Sequence, residues 1–290
     1  MTTLDRIARN THNAVRQRRE TLLRRGVPAL QRTGLLVPAF RAYERIFSLT
    51  DRRPPVDEHN LPLPPAYLRM LVSGVTSPET FINTGRVGVD SLRELFGEAG
   101  MDLDRCDAVL DFGCGCGRIA RWWPSDATTE WHGTDINPRL LAWCAQSLPH
   151  LRVSANALEP PTTYRDGRFD AVYALSVFTH WPEPLQYAWM RELTRIVGPG
   201  GRLLFTTHGE SAARRVLLPE ERERFERGEF VERFGEDAGS NLCSAFHPEP
   251  WVRDRLAADL DVVLHRPGGA PGLGDQDVWI VAPGATLATP

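Results

Sequence analysis

Three glycines alternate in Gly113-Cys114-Gly115-Cys116-Gly117, directly after the apolar run Val109-Leu110-Asp111-Phe112. Glycine at such points lets the backbone turn tightly and lets a ligand approach bare amide groups. Asp111 lies two residues before the first glycine. A second acid, Asp135, lies 18 residues past Gly117, at the end of another short apolar run. An acid about 20 residues beyond a glycine-rich turn, at the tip of the second strand, is placed to accept both hydroxyls of a ribose. Capping the following helix is the competing role for Asp135, but Asn137 before Pro138 fits a cap better. Nucleotide binding is therefore the first chemistry the residues support. A dinucleotide fingerprint, G-x-G-x-x-G counted from Gly113, needs its third glycine at position 118, where this chain has Arg118. NAD is not expected as a ligand.

Acid–base chemistry could come from His180 and His208, which follow the fourth and fifth strand-like runs and should open onto one rim. His247 lies in His-Pro-Glu-Pro, which also reads as a helix start. Each His has a structural alternative: His180 as a helix cap, His208 as a loop hydrogen bond. Cys114 and Cys116 form a C-x-C pair. No second Cys or His pair at ligand spacing accompanies them, so no metal is expected.

Positioning these residues requires strands alternating with helices. Apolar runs fall at 108–112, 130–136, 151–157, 170–177, 201–207, 261–265 and 277–281, with helices expected near 117–123, 138–147, 184–197, 211–216 and 248–259. This alternation is the sign of a parallel sheet wrapped by helices. Gly198-Pro199-Gly200-Gly201 stops the fourth helix. Only the loop 266–276 separates the last two strands, so they should pair antiparallel at one edge. Residues 217–246 are a charged insertion after the fifth strand, with a solvated helix expected over Glu220 to Glu232. Residues 3–48 read as helical, 53–65 carry five Pro and read as a linker, and 66–98 read as helical again, interrupted near Gly74 to Pro78. The expected division is 1–65, an Arg-rich helical extension and linker, and 66–290, the α/β domain.

The G-x-G-x-G loop with Asp111 before it resembles the first motif of class I, Rossmann-like S-adenosylmethionine-dependent methyltransferases. The resemblance continues through Asp135, through Ser154-Ala155-Asn156-Ala157-Leu158, through Phe169 to Trp181, and through the turn Val197-Gly198-Pro199-Gly200-Gly201. It covers about residues 80–283. It implies a seven-stranded sheet of order 3-2-1-4-5-7-6 with the seventh strand antiparallel, and S-adenosylmethionine bound over the carboxyl ends of the strands. Gly113, Gly115 and Gly117 would pass beneath the cofactor, and Asp111 would act near the methionine amino group. Asp135 would hold the ribose with Ile136 beside it, and Asn156 and Ala157 would meet the adenine edge. Leu175 and Ser176 would line the methionyl wall. Arg86, on an N-terminal helix that closes over the cofactor, would reach the methionine carboxylate. Tyr173, Asn241, Phe246 and His247 are the candidate substrate contacts, and 217–246 the specificity element.

Bulk properties narrow the function. The formal charge of −3 over 290 residues argues against a nucleic-acid binder. Residues 1–53 nevertheless hold twelve Arg against four acids, and every basic residue of the chain is Arg. Five Cys form no disulfide framework, no apolar run approaches a membrane span, and no signal-peptide core opens the chain, so a cytoplasmic protein is expected. Methylation of a small molecule such as a specialised metabolite, with O-methylation favoured, is the leading reading. A peptide or other macromolecule docked through the Arg-rich segment is the second. A non-catalytic S-adenosylmethionine-binding partner is the third, and the intact Asp111, Gly113, Gly115 and Asp135 argue against it. No Asn-Pro-Pro-Tyr-like stretch ends the fourth strand, which argues against an amino-group methyltransferase for bases or glutamine.

Overall fold

A computed structural model describes residues 56–124 and 128–284. The helical reading of 3–48 lies outside the described residues. The described residues 56–64 and 68–284 form one compact unit. The expected linker is thus partly integral to the α/β unit: Asp57 is buried and receives both Nε and Nη2 of buried Arg121, at 2.8 and 2.7 Å.

A seven-stranded sheet organises the unit. Its strands are β1 (Ala108–Phe112), β2 (Glu130–Asp135), β3 (Leu151–Ala155), β4 (Phe169–Ala174), β5 (Val197–Thr207), β8 (Leu260–Arg266) and β9 (Asp277–Pro283), in the order β3-β2-β1-β4-β5-β9-β8. The first five pair parallel, and β9 runs antiparallel to both β5 and β8. This is the order the resemblance implied. The short β6 (Val231–Arg233) and β7 (Ser244–Phe246) pair separately inside the insertion. β1 is buried throughout, as a central parallel strand covered on both faces must be. One core cluster, with Leu92, Phe96, Trp123 and Trp131, covers one face of the sheet; the other, with Phe112, Phe178, Trp189 and Trp251, covers the opposite face.

The helices are α1 (Ala66–Ser73), α2 (Pro78–Glu98), α3 (Pro138–Ser147), α4 (Glu183–Ile196), α5 (Glu210–Val216), α6 (Pro219–Glu226) and the single turn α7 (Glu249–Trp251). α3 begins as its sequence dictates: Asn137 accepts from the Arg139 N–H, and Pro138 occupies the first turn, where no donor is needed.

Three expected helices differ. Residues 117–123 form turns and a short 3-10 segment, Ala120–Trp122, because Gly117 holds a left-handed backbone (φ +76°) that no helix admits. Residues 248–259 form α7 followed by a π-helical turn, Val252–Leu256. In the insertion α6 ends at Glu226, where Gly228 turns left-handed (φ +82°), and Val231–Arg233 joins a strand pair instead.

Candidate active site

The glycine loop leaves β1 and folds onto β2. The amides of Gly113 and Cys114 both donate to the Thr134 carbonyl, at 2.8 and 2.9 Å. Gly113, Gly115 and Gly117 all have positive φ. A Cβ on Gly113 would stand 2.5 Å from Val177, on Gly115 2.7 Å from Val72, and on Gly117 2.3 Å from Leu148. Side chains are excluded here by backbone conformation and by space alike. Asp135 braces the loop: its carboxylate accepts the Gly115 N–H at 2.9 Å and the Asn137 N–H at 2.8 Å. Beneath, Cys114, Cys116 and Cys144 are buried; the hydrogen bond with Cys144, then burial, raises the Cys114 thiol above the ordinary range, and burial raises that of Cys116, so both stay protonated packing groups. Among the described residues, no group of three or more His, Cys, Asp or Glu could hold a metal ion.

Asp111 is buried at the end of β1. Burial pushes its carboxyl up to about 7, while a hydrogen bond from Tyr173 and the positive charge of Arg118 oppose that rise. The Tyr173 hydroxyl in turn accepts from Trp123 Nε1 at 2.9 Å. Tyr173 is wholly buried. It supports Asp111 from below and does not contact substrate, contrary to expectation. Arg118 is a residue that sequence reasoning noted only as a missing glycine. Its Nη1 donates to the carbonyls of Thr84 on α2 and Gly272 in the β8–β9 loop, at 3.0 and 2.9 Å. It therefore ties three segments together beside Asp111. An Arg inside an apolar, glycine-rich loop was the available clue, since such a charge must find carbonyls or an acid.

The adenine side rests on the segment after β3. The Asn156 amide nitrogen donates to the Ala157 carbonyl, while Asn156 Oδ1 is buried without a partner. An orphaned buried acceptor costs free energy unless a donor arrives. The exocyclic amine of an adenine is such a donor. Ile136 and Leu158 are exposed apolar side chains beside it, 39% and 38% accessible, and suit the faces of a purine ring. On the methionyl side Leu175 and Ser176 follow β4. Ser176 has φ +57°, an uncommon conformation for a residue with a Cβ. A closed ring of hydrogen bonds holds it there. The Ser176 N–H donates to Thr206 Oγ1 (2.8 Å), Thr206 to Gln276 Oε1 (2.6 Å), and Gln276 Nε2 to Ser176 Oγ (2.8 Å). Gln276 and Thr206 escaped the sequence reading. Arg86 is not packed into the site in this structure. α2 buries Phe81, Gly85, Gly88, Val89 and Leu92, and Arg86 lies off that stripe, exposed to solvent.

The two histidines expected on the acceptor side are held by the insertion. His180 Nδ1 bonds the Cys243 carbonyl at 2.7 Å, and His208 Nδ1 bonds the Ala245 carbonyl at 3.1 Å. A carbonyl only accepts, so each Nδ1 carries the proton and each Nε2 keeps its lone pair. Neither Nε2 has a protein partner among the described residues. Burial lowers both imidazoles below the ordinary value; that of His208 falls to about 4, helped by the neighbouring His180 and by Arg215.

The other expected substrate contacts lie elsewhere. Phe246 is buried, packed under His208 and among Ala212, Leu217, Phe225 and Val231. His247 is buried against Phe230 and Trp251 and bonds Gln186 at 3.2 Å. Both anchor the insertion instead of facing a ligand. Asn241 is exposed, and its amide donates to the Leu71 carbonyl of α1 at 2.8 Å. Nearby, the Gly239 N–H donates to the His180 carbonyl at 2.9 Å, and a Cβ on Gly239 would stand 2.8 Å from Leu158 and 2.9 Å from Ile136. The insertion therefore roofs both the purine side and the histidine side.

A parallel sheet of this order, with a glycine loop, a brace acid at the tip of β2 and an orphaned acceptor after β3, defines a Rossmann-like nucleotide-cofactor fold of the methyltransferase type. Residues 110–205 match the family described as methyltransferase domain. Over 154 residues, 49% of this chain and 39% of the other, the sequence is 32% identical to the chloroplastic tocopherol O-methyltransferase of Arabidopsis thaliana. Over 101 residues, 34% and 38% of the two chains, it is 35% identical to a malonyl-(acyl-carrier protein) O-methyltransferase of Pseudescherichia vulneris. The matches span about two fifths of the length of these relatives. The 1,6-didemethyltoxoflavin-N1-methyltransferase of Burkholderia thailandensis shares the fold, with a TM-score of 0.50 at 16% identity over 75% of this chain and 85% of that one. Residues 110–205 form a methyltransferase domain of the class I, S-adenosylmethionine-dependent type. Among the described residues no helix is long and apolar enough to cross a membrane.

Proposed function

We propose that the protein transfers the methyl group of S-adenosylmethionine to a hydroxyl of a small molecule, with His180 taking the hydroxyl proton. The observation that carries this reading is the His180 Nδ1–Cys243 carbonyl bond, which fixes the tautomer with Nε2 as an acceptor at the carboxyl end of the sheet. The cofactor, when bound, supplies an electrophilic methyl group on a sulfonium. The residues present fit it. Asp111 would face the methionine ammonium, the glycine loop would admit the methionine chain, Asp135 would take the ribose with its remaining lone pairs, and Asn156 Oδ1 would take the adenine amine.

In-line displacement depends mostly on positioning, and a base matters where the acceptor must lose a proton. Of the two imidazoles, His180 is the better proton acceptor. A proton on His208 at neutral pH would cost about 4 kcal/mol, given a value of about 4 for that group. The two curated relatives are named as O-methyltransferases, which supports a hydroxyl or carboxyl acceptor over an amine. The division of the chain into an Arg-rich extension and a catalytic domain, with the insertion as substrate cover, belongs to this proposal, as does a cytoplasmic setting.

A screen of phenolic, aliphatic, sugar and carboxylic acceptors with methyl-labelled cofactor identifies the product. Single-turnover rates of His180→Ala then test the base. A loss of about 10²–10⁴-fold, with cofactor affinity retained, is expected. Full activity of His180→Ala at every pH removes His180 from that role.

A further inference from the structure

Two imidazoles with free Nε2 lone pairs are more than one proton transfer requires. Their anchors, the carbonyls of Cys243 and Ala245, stand two residues apart at the start of β7. Alternate residues of a strand are about 6.5–7 Å apart, which sets the scale of separation between the two rings. The rings are close enough for the charge state of one to act on the other. An object bridging both nitrogens must offer two hydrogen-bond donors. Two hydrogen bonds of about 2.8 Å, linking nitrogens to oxygens that are themselves roughly 2.8 Å apart, span up to about 8 Å.

We propose that His180 and His208 form a paired acceptor for two adjacent hydroxyl groups, so that the methyl acceptor is a neutral vicinal diol, aliphatic or catecholic. This rests on the methyl-transfer reading above and names its substrate class. The electrostatics select a neutral ligand. Among the described residues no carboxylate acts on either imidazole, and the groups that act on His208 are His180 and Arg215, the latter paired with Asp275 at 2.6 Å. An ammonium donor would lie there without a counter-charge, and a carboxylate would face two lone pairs. A diol gives each nitrogen its donor and carries no charge.

The two hydroxyls have different fates. The one on His180 reacts: its oxygen bonds the methyl carbon as the carbon–sulfur bond breaks, the electron pair stays on sulfur, and the hydroxyl proton passes to His180 Nε2. The one on His208 is held and keeps its proton, because that imidazole is the poorer base. His208 is therefore a positioning residue, and the product is a mono-ether.

The full chain, labelled with ¹⁵N at histidine and saturated with S-adenosylhomocysteine, is titrated with catechol, phenol, cis-cyclohexane-1,2-diol, cyclohexanol and benzylamine, with the ring nitrogens followed by NMR. Catechol or the cyclohexanediol should move both Nε2 signals and bind at least tenfold tighter than its mono-hydroxyl partner. His208→Asn should reduce that preference to less than about threefold and, with the diol that is turned over, raise KM more than it lowers kcat. Equal binding of mono- and dihydroxy compounds overturns the proposal, as does a response from one imidazole alone, a preference for benzylamine, or no response to either diol at 10 mM. The two readings separate cleanly. Loss of the diol preference leaves methylation of a single hydroxyl standing. Retention of the preference with an active His180→Ala removes the base but keeps the diol site.

Discussion

Acidifying the solution from pH 7 to pH 5 is expected to weaken S-adenosylmethionine binding through one carboxyl group, Asp111. In the ligand-free protein burial holds that carboxyl at about 7 instead of 3.8. At pH 7 about half of the molecules therefore carry the carboxylate that the methionine ammonium needs. At pH 6 the fraction is about one in eleven and at pH 5 about one in a hundred, so affinity should fall about fivefold and then about fiftyfold relative to pH 7. The ligand's own ammonium and carboxylate keep their charges across this range. Folding stability follows the opposite direction. A raised carboxyl contributes stability that is full below its ordinary 3.8 and is lost as pH rises through 7, a difference of about 4 kcal/mol. Binding should recover that loss by pairing the charge. Calorimetry in two buffers of different ionisation enthalpy checks this directly, with release of about half a proton per cofactor expected at pH 7. Asp111→Asn should remove both the proton release and the pH slope. Constant affinity from pH 5 to pH 8, with no proton released, would show that Asp111 does not meet the ammonium.

Three further outcomes follow from the geometry. Asp135→Ala should weaken cofactor binding by about 1.5–3 kcal/mol and loosen the loop at Gly115; unchanged affinity in a folded variant excludes Asp135 from the site. A chain beginning at Leu61 loses Asp57 and leaves the buried Arg121 charge unpaired, so urea unfolding should show a loss of about 3–5 kcal/mol, whereas a chain beginning at Pro54 should keep the ion pair. The lowered imidazole of His208 contributes stability above 6.5 that disappears as pH falls through about 4, about 3 kcal/mol, and His208→Phe should flatten the stability profile between those values.

The alternation of strands and helices and the glycine loop were legible because they depend on residue type at local spacing; the sheet order came from the family resemblance, and the bracing of Gly115 by Asp135 depends on a contact that spacing does not show. A left-handed turn favours glycine, and Gly113 and Gly115 announce it. The misread residues depend on which way a side chain faces. β4 is a central strand with Val172, Tyr173 and Ala174 all buried, so alternation gave no sign that Tyr173 points into the core under Asp111. The exposure of Arg86 was legible: the apolar and small residues at 81, 85, 88, 89 and 92 form a helical stripe that excludes position 86. Phe246 and His247 sit beside candidate site residues in sequence, but Phe246 serves a small core with Ala212, Leu217, Phe225 and Val231, and His247 packs on Phe230 and Trp251, roles that no local pattern separates from a ligand contact. Arg118, Gln276 and Thr206 act through partners up to 154 residues distant, contacts that spacing in one chain does not reveal.

The loop from Gly235 to Phe246 joins two parts of the candidate site. It lies over Ile136 and Leu158, and its carbonyls at Cys243 and Ala245 orient the imidazoles of His180 and His208. On the proposed function, one displacement of this segment would uncover the nucleoside and release both imidazoles together. Compulsory order, cofactor first to enter and last to depart, is then the expected kinetic pattern, and product-inhibition kinetics checks it; random order would uncouple the two sides of the loop.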